Sequence, residues 1–291
     1  MQGLCSVALA LAQLSVGVAV LSLSSCMPVT PTDNQTESQP QQTIKISGSG
    51  SVYLALQVLA KAYEKKAKDT KITFLPRNQT SGGIMGVKEG LVEIGAASRK
   101  LTPEEKNGAI ESREIARDAL MVATHPSVTG VTNLQPNQLR GIYRGKIWNW
   151  RQLGGPDASI IVLDRPEDES AKKLLRQYYL GNTLKITTSA VLLQQEPELI
   201  DALQNTPYSI GAFSAAYATA NELPVNRLSL NDIAPTVENI IAGKYKMVRE
   251  IAIVWKNPPS TATQKFIKFM SSQEGAEELQ KSSFAPSTPT K

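Results

Sequence analysis

The chain has 291 residues, of which 41% are hydrophobic and 20% are charged. This composition is ordinary for a globular protein, and the length exceeds that of one small domain, so two lobes are expected. The 31 Lys and Arg residues outnumber the 26 Asp and Glu residues by five, but they are scattered rather than gathered into runs, which argues against a nucleic-acid partner.

The N-terminal segment has the features of an export signal. Its first 26 residues carry no charged side chain, and residues 7–23 form an apolar run typical of a signal h-region. The run ends in Leu23-Ser24-Ser25-Cys26, which resembles the bacterial lipoprotein processing box, where the cysteine is acylated. The alternative is an uncleaved transmembrane helix, because the run is near the minimum length for a span.

One feature departs from an ordinary signal: residues 1–3 contain no Lys or Arg, so either the signal is unusual or the start site is misassigned. We predict a signal peptide over residues 1–26 and lipidation at Cys26, with Cys5 lost in the signal and no disulfide formed. Residues 27–42 are rich in Pro, Thr, Gln and Ser and predict a flexible tether. The membrane is then contacted through the lipid anchor only.

The first part of the folded body alternates between strand and helix patterns. Apolar residues at Ala55, Leu59, Ala62 and Tyr63 recur at helical spacing. The predicted order is strand 43–46, helix to residue 68, strand 71–75, loop 77–83, helix 84–89 and strand 91–96. Such alternation is typical of a parallel sheet with crossover helices. Thr102-Pro103-Glu104-Glu105 adds a capping pattern that predicts a further short helix.

A second series of elements follows a β-rich run over residues 116–124. The predicted elements are helix 136–143, loop 145–150, strand 159–163, helices 170–180 and 197–203, strands 208–213 and 247–255, and helices over 261–279. We place two interlobe crossings near residues 119–124 and 210–214. Lobe I then comprises residues 43–121 and 215–291, and lobe II comprises residues 122–214.

Several strand ends are followed by small hydroxyl or glycine residues and then by a helix or turn. The loops are Ser47-Gly48-Ser49-Gly50-Ser51, Thr80-Ser81-Gly82-Gly83, Ser98-Arg99, and Asp164-Arg165 with Glu169-Ser170. Each loop alone is typical of a cap or turn. Together they lie at the carboxyl ends of strands, where ligands bind in open parallel sheets. Helix N-terminal amides and hydroxyls there would hold a small anion without a metal.

Two arginines follow predicted strands. The guanidinium of Arg165 can hold an oxyanion with two parallel hydrogen bonds, although it could instead pair with Glu167, Asp168 or Glu169. Arg99 has a similar position, with bracing of its own loop as the alternative.

Patterns typical of enzymes are largely missing. The only histidine, His125, has no partner at metal-ligand spacing and is followed by Pro, so a structural role is expected, and a Ser-His-Asp triad would need this same residue. Asp168 and Glu169 are sequence neighbours and point in different directions, unlike paired hydrolytic carboxylates. The tryptophans at 148, 150 and 255 are expected to pack in the core or in loops. We predict no catalysis and no cofactor.

These motifs resemble the PstS family, the phosphate-specific substrate-binding proteins of bacterial ABC transporters. The resemblance covers nearly all of the chain after Thr43. It rests on residues 46–101, with Gly48-Ser49-Gly50-Ser51, Thr80-Ser81-Gly82-Gly83 and Glu93-Ile94-Gly95-Ala96-Ala97-Ser98-Arg99, and on the long pattern within residues 133–157. It implies a type II periplasmic-binding-protein fold, an α/β architecture of two lobes joined by two crossing strands.

The resemblance also implies a phosphate site. Ser51, Thr80 and Ser98 would bind from the first lobe and Arg165 from the second; Ser49, Gly50, Ser81, Glu169 and Ser170 complete the candidate set. Many members continue from the arginine to Ser-Gly-Thr, whereas this chain reads Asp168-Glu169-Ser170-Ala171. One branch has an Asp at the place of Ser98 that accepts the proton of hydrogenphosphate. Either Glu169 replaces that acceptor, which would favour phosphate over sulfate, or both acids merely favour the helix N-terminus.

By this resemblance the chain is expected to be an exported monomer, periplasmic or at the cell surface. It would capture phosphate between its lobes and deliver it to ABC transporter permease subunits. The alternative is a sensor or scavenger that binds another oxyanion or a phosphorylated small molecule. A hydrolase of related fold is disfavoured, because the sequence offers no plausible nucleophile–base pair.

Overall fold

A computed structural model describes residues 41–106 and 109–287 of the chain. The predicted signal, Cys26 and residues 27–40 of the predicted tether lie outside this part. The strands are β1 (Gln42–Gly48), β2 (Thr70–Phe74), β3 (Ile94–Ala97), β4 (Ile110–Thr124), β5 (Asn133–Leu134), β6 (Ile161–Asp164), β7 (Val191–Leu192), β8 (Ser209–Ser214), β9 (Asn226–Arg227), β10 (Ser229–Leu230), β11 (Val248–Lys256) and β12 (Ala285–Pro286).

The α-helices lie between these strands and after β11. They are α1 (Tyr53–Glu64), α2 (Thr80–Lys88), α3 (Pro136–Tyr143), α4 (Ser170–Leu175), α5 (Glu196–Asn205), α6 (Ala215–Ala220), α7 (Val237–Ile241), α8 (Thr261–Met270) and α9 (Gln273–Lys281). A π-helical turn over Arg176–Leu180 continues α4. In the described ranges, no helix has the length and hydrophobicity needed to span a membrane.

One mixed sheet runs through the body in the order β2-β1-β3-β11-β4-β8-β6-β7. The pairs at its two ends are parallel, as the alternating pattern predicts. At the centre, β11 pairs antiparallel with both β3 and β4, and β4 pairs antiparallel with β8. The predicted α/β class and two-lobed type II architecture are confirmed, with antiparallel strands where the lobes join.

β4 is the strand that joins the two lobes. Its residues up to Ala119 pair with β11, whereas those from Leu120 pair with β8. The change of partner falls within the predicted first crossing. Two large hydrophobic cores lie on either side of this point, and one includes Ile44 and Ile251 while the other includes Phe213 and Met247.

The return to the first core differs from the sequence expectation. The predicted second crossing ends at Ser214, but Leu228, Leu230, Tyr245 and Met247 pack in the same core as β8. The cause is tertiary: β9 pairs with the last residues of β4, and β10 pairs with β5. These two-residue strands are too short to leave a periodic signal in the sequence.

Local chemistry explains several boundaries. α3 begins at Pro136, where the missing N–H costs no helical bond, and the Gln138 side chain accepts a hydrogen bond from the Gln135 N–H at 2.8 Å. The predicted helix at residues 102–105 is wrong, because this segment forms a turn. There the Glu105 carboxylate accepts from the Thr102 N–H at 2.8 Å and also binds Arg99.

Candidate anion-binding site between the lobes

The direction of the strands points the candidate loops of each lobe at the other lobe. β1 and β3 run parallel to β4, because two antiparallel steps through β11 separate them. Their carboxyl ends therefore point along β4 toward the second core. β8 and β6 run opposite to β4, so their carboxyl ends point back toward the first core. Ligands of open sheets bind at such carboxyl ends.

Four hydroxyl groups gather at the first-lobe edge. Ser49 Oγ lies 2.9 Å from Ser51 Oγ and 3.2 Å from Ser98 Oγ. Thr80 Oγ1 lies 3.3 Å from Ser98 Oγ and accepts a hydrogen bond from the Ser98 N–H at 3.1 Å. Residues from three separate segments thus form one cluster of donors and acceptors.

Helix starts add backbone donors beside this cluster. A 3-10 turn over Gly50–Val52 leads into α1, and α2 begins at Thr80, with no side-chain cap bond at either N-cap. From the sequence, residues 80–83 were expected to lie in a loop. In the structure, Thr80 and Ser81 are the first two residues of α2. The first amide groups of a helix have no intrahelical acceptor, so they can donate to an anion.

Glycines permit the close approach of these segments. Gly48 has a φ of 129°, and a Cβ atom placed on it would lie 2.3 Å from the Ala96 carbonyl oxygen. A Cβ on Gly83 would lie 2.9 Å from both Gly48 Cα and the Ser47 carbonyl oxygen. The start of α2 therefore packs directly against the end of β1, which brings Thr80 close to Ser98.

Arg99 lies beside the cluster but is engaged elsewhere. Its Nη1 and Nη2 donate to the Glu105 carboxylate at 2.7 and 2.8 Å, and Nη1 also donates to the Lys100 carbonyl oxygen. The hydrogen bond from Arg99 is the largest cause that lowers the pKa of Glu105, to about 2. This geometry agrees with the bracing alternative for Arg99.

In the second lobe, Arg165 follows β6 directly and is only 5% exposed. Its Nη1 donates to the Leu193 carbonyl oxygen at 3.2 Å, and its Nη2 lies 2.9 Å from Glu169 Oε1. Its Nε is buried and has no hydrogen-bond partner in the described part of the chain. Glu169 is the N-cap residue of α4, and Ser170 is the first helical residue.

A buried lysine supports the strand end that carries Arg165. Lys172 Nζ donates to Asp164 Oδ1 at 2.6 Å and lies 5.6 Å from the centre of the Tyr143 ring. Burial raises the pKa of the Tyr143 hydroxyl, and the charge of Asp164 adds to that rise. This pair could not be predicted from the sequence, because Lys is usually exposed on a helix.

A second buried ion pair joins the two central strands. Arg249 of β11 and Asp118 of β4 are 4% and 1% exposed, and Arg249 Nη2 lies 2.9 Å from Asp118 Oδ2. Burial raises the pKa of Asp118, and the Arg249 charge opposes that rise. Glu196 Oε2 lies 3.6 Å from Arg249 Nη1. Sequence reasoning missed this cluster, because its members are far apart along the chain.

The remaining candidates from the sequence have structural contacts. His125 Nδ1 accepts a hydrogen bond from the Ser127 N–H at 3.0 Å, in line with a structural role. Trp150 is buried and donates to the Tyr208 carbonyl oxygen at 2.9 Å, and Trp255 is also buried. Trp148, in contrast, is 58% exposed and so is not a core residue.

Residues 33–274 match the PBP superfamily domain. Together with the two lobes and the facing loops, this match defines the chain as a two-lobed substrate-binding protein. Its relatives include the phosphate-binding protein PstS of Borreliella burgdorferi, with 31% identity over 84% of this chain and 90% of that protein. PstS of Bacillus subtilis is 24% identical over 82% of this chain and 78% of that protein. The chain belongs to the PstS family.

Solved structures agree with this assignment. A phosphate ABC transporter substrate-binding protein from Clostridium perfringens, solved with bound phosphate, has a TM-score of 0.70 and 29% identity, over 85% of this chain and 100% of that one. PstS from Borrelia burgdorferi has a TM-score of 0.56 and 30% identity, over 84% of this chain and 98% of that one. The effector-binding domain of BenM, at 16% identity and a TM-score of 0.53, shares the fold alone.

Proposed function

We propose that this chain captures inorganic phosphate between its lobes and delivers it to the permease subunits of an ABC transporter. The observation that carries the proposal is the hydroxyl cluster of Ser49, Ser51, Thr80 and Ser98, at the strand ends that face the lobe of Arg165. Hydroxyl groups donate to phosphate oxygens, and a guanidinium supplies charge-assisted, bidentate bonds. Membership of the PstS family supports phosphate as the ligand.

The proposed ligand contacts fall into two sets. From the first lobe they are the hydroxyls of the cluster and of Ser81, with backbone amides near Gly50; from the second they are Arg165 and Ser170. Glu169 takes part through its ion pair with Arg165. The two sets lie on opposite sides of the β4 crossing, so closure of the lobes would surround the anion and exclude water.

The lobe limits and the cellular setting are part of the same proposal. We place lobe II at residues 120–247, on the basis of the two cores and the partner change in β4. The chain would be an exported, monomeric lipoprotein held at the membrane through Cys26. It would bind and release phosphate without converting it, so phosphate esters would be neither substrates nor products.

Titration calorimetry on protein stripped of bound ligand tests the ligand. We expect phosphate to bind with heat, arsenate to compete, and sulfate to bind far more weakly. The matched variants are Arg165→Gln and Arg151→Gln, because Arg151 is an exposed second-lobe arginine whose partner is Asp157. Only Arg165→Gln should lose affinity. If phosphate neither released heat nor displaced a bound ligand, phosphate capture would be wrong.

A further inference from the structure

The loop between β2 and α2 lies against the end of β1 and the loop that carries Ser49 and Ser51. The Leu75 N–H donates to the Ile46 carbonyl oxygen at 2.8 Å, and the Asn78 N–H donates to the Gly48 carbonyl oxygen at 2.8 Å. Asn78 also forms an isolated parallel bridge with Ser49. Backbone hydrogen bonds therefore hold residues 75–78 against the end of β1.

The Arg77 side chain crosses Gly50 within this contact. A Cβ atom placed on Gly50 would lie 2.9 Å from Arg77 Cδ and 3.3 Å from its Cβ and Cγ. Gly50 stands between Ser49 and Ser51, whose hydroxyls belong to the cluster. Arg77 Cδ, the last carbon before the guanidinium, therefore packs against Gly50, between the two serines of the cluster.

Among residues 41–106 and 109–287, no carboxylate pairs with Arg77. Arg77 is exposed, and within the described ranges its guanidinium forms no hydrogen bond or ion pair. Its charge reaches Tyr53, where it opposes the larger effect of burial, which raises the pKa of that hydroxyl. Arg99, the other arginine beside these loops, is held by Glu105.

We propose that Arg77 is a second anion-contacting guanidinium, supplied by the first lobe opposite Arg165. This proposal rests on the proposed function and extends its site. The hydroxyl and amide donors of the first lobe are neutral, and Glu169 already neutralises part of the Arg165 charge. A phosphate dianion between the lobes would then gain its second cation from Arg77, through a charge-assisted hydrogen bond. A Cβ atom at position 50 would press against Arg77 Cδ, so glycine there leaves room for this side chain.

Phosphate titrations of Arg77→Gln, Arg77→Lys and Lys71→Gln test this contact. A charge-assisted hydrogen bond is worth enough that Arg77→Gln should weaken phosphate binding roughly 10- to 100-fold. Arg77→Lys keeps the charge but not the planar fork, so its affinity should lie between those of Arg77→Gln and wild type. Lys71 is an exposed cation at the start of β2, about 10 Å from the end of that strand at ~3.3 Å per residue, and Lys71→Gln should bind like wild type.

Dissociation kinetics separate a contact from long-range attraction. A lost contact should raise the phosphate dissociation rate of Arg77→Gln. The difference from wild type should persist at 0.5 M salt, about five times the ionic strength at which the screening length is about 10 Å. An affinity within about threefold of wild type, or an effect on the association rate alone, would overturn the Arg77 contact and leave phosphate capture standing. Absence of phosphate binding by the wild-type chain would overturn both.

Discussion

Nη2 of Arg165 lies 2.9 Å from Oε1 of Glu169, four residues further along the chain. The carboxylate therefore already occupies one side of the guanidinium that we assign to the anion. An incoming anion must share Arg165 with Glu169, and a fixed negative charge beside the site penalises anions that have no proton to offer. The ion pair therefore suggests that Glu169 helps the site to select phosphate over sulfate.

Replacing Glu169 by Gln tests this idea. Removal of the carboxylate should strengthen sulfate binding by about tenfold or more, because unfavourable charge juxtapositions are costly. Phosphate should lose part of its advantage over sulfate, which calorimetry with both anions would measure. Asp168→Asn, a neighbouring exposed carboxylate, is the control and should change neither affinity. Unchanged phosphate affinity together with unchanged rejection of sulfate would rule out the acceptor role of Glu169.

Arg165→Lys should separate charge from geometry. Lysine keeps the positive charge but cannot make two parallel hydrogen bonds, so we expect phosphate affinity to fall roughly 10- to 100-fold. Equilibrium titration measures this loss, and urea unfolding of the same variant checks that the fold is retained. Wild-type affinity in Arg165→Lys would show that the planar fork makes no essential contact.

Gly48→Ala should destabilise the first lobe. The residue combines a φ of 129° with a Cβ position 2.3 Å from the Ala96 carbonyl oxygen, so alanine forces a backbone shift that we expect to cost about 2 to 4 kcal/mol in the free energy of unfolding. Gly90→Ala is the control, since Gly90 also has a positive φ but nothing within 4 Å of its Cβ position. Equal losses in urea unfolding would mean that the close contact with Ala96 is unimportant.

Removing one partner of the buried Arg249–Asp118 pair should destabilise the protein more than replacing both partners. Arg249→Met leaves the Asp118 carboxylate buried without its partner and should cost about 3 to 5 kcal/mol. The double variant Arg249→Met/Asp118→Asn should recover part of that loss. Arg151→Met removes an exposed pair with Asp157 and should cost at most about 1 kcal/mol. Urea unfolding of the three variants would contradict the prediction if the double variant were no more stable than Arg249→Met.

Glu105 predicts an acid-sensitive contribution to stability. Its pKa of about 2, lowered chiefly by the Arg99 hydrogen bond, lies below the ordinary value of a glutamate. The stabilisation is therefore present above that ordinary value and is lost as the pH falls toward 2. Carboxyl NMR titration should find the low value in wild type and a clear rise in Arg99→Gln. A normal pKa in wild type would show that the Arg99–Glu105 pair does not form in solution.

Much of the fold follows from local features of the sequence. The pattern over residues 136–143 matches α3 at both ends, because proline at the first turn and apolar spacing are local signals. The hydroxyl- and glycine-rich segments around Ser49, Thr80, Ser98 and Arg165 are also recognisable in the sequence, although Thr80 begins a helix rather than lying in a loop. The short helix expected at residues 102–105 failed because the Glu105 side chain binds Arg99, a competition that propensity alone does not show.

The sequence by itself determined the alternation of strands and helices, the class of fold and the glycine- and hydroxyl-rich loops, since these depend on neighbours within a few residues. Only the tertiary structure decided which core receives residues 228–247, that Lys172 lies beneath Asp164, and that Asp118 meets Arg249 across 131 positions. Such pairs depend on the order of the strands and on burial. Neither can be predicted from the periodicity of one sequence. The crossing of Gly50 by Arg77 belongs to the same group.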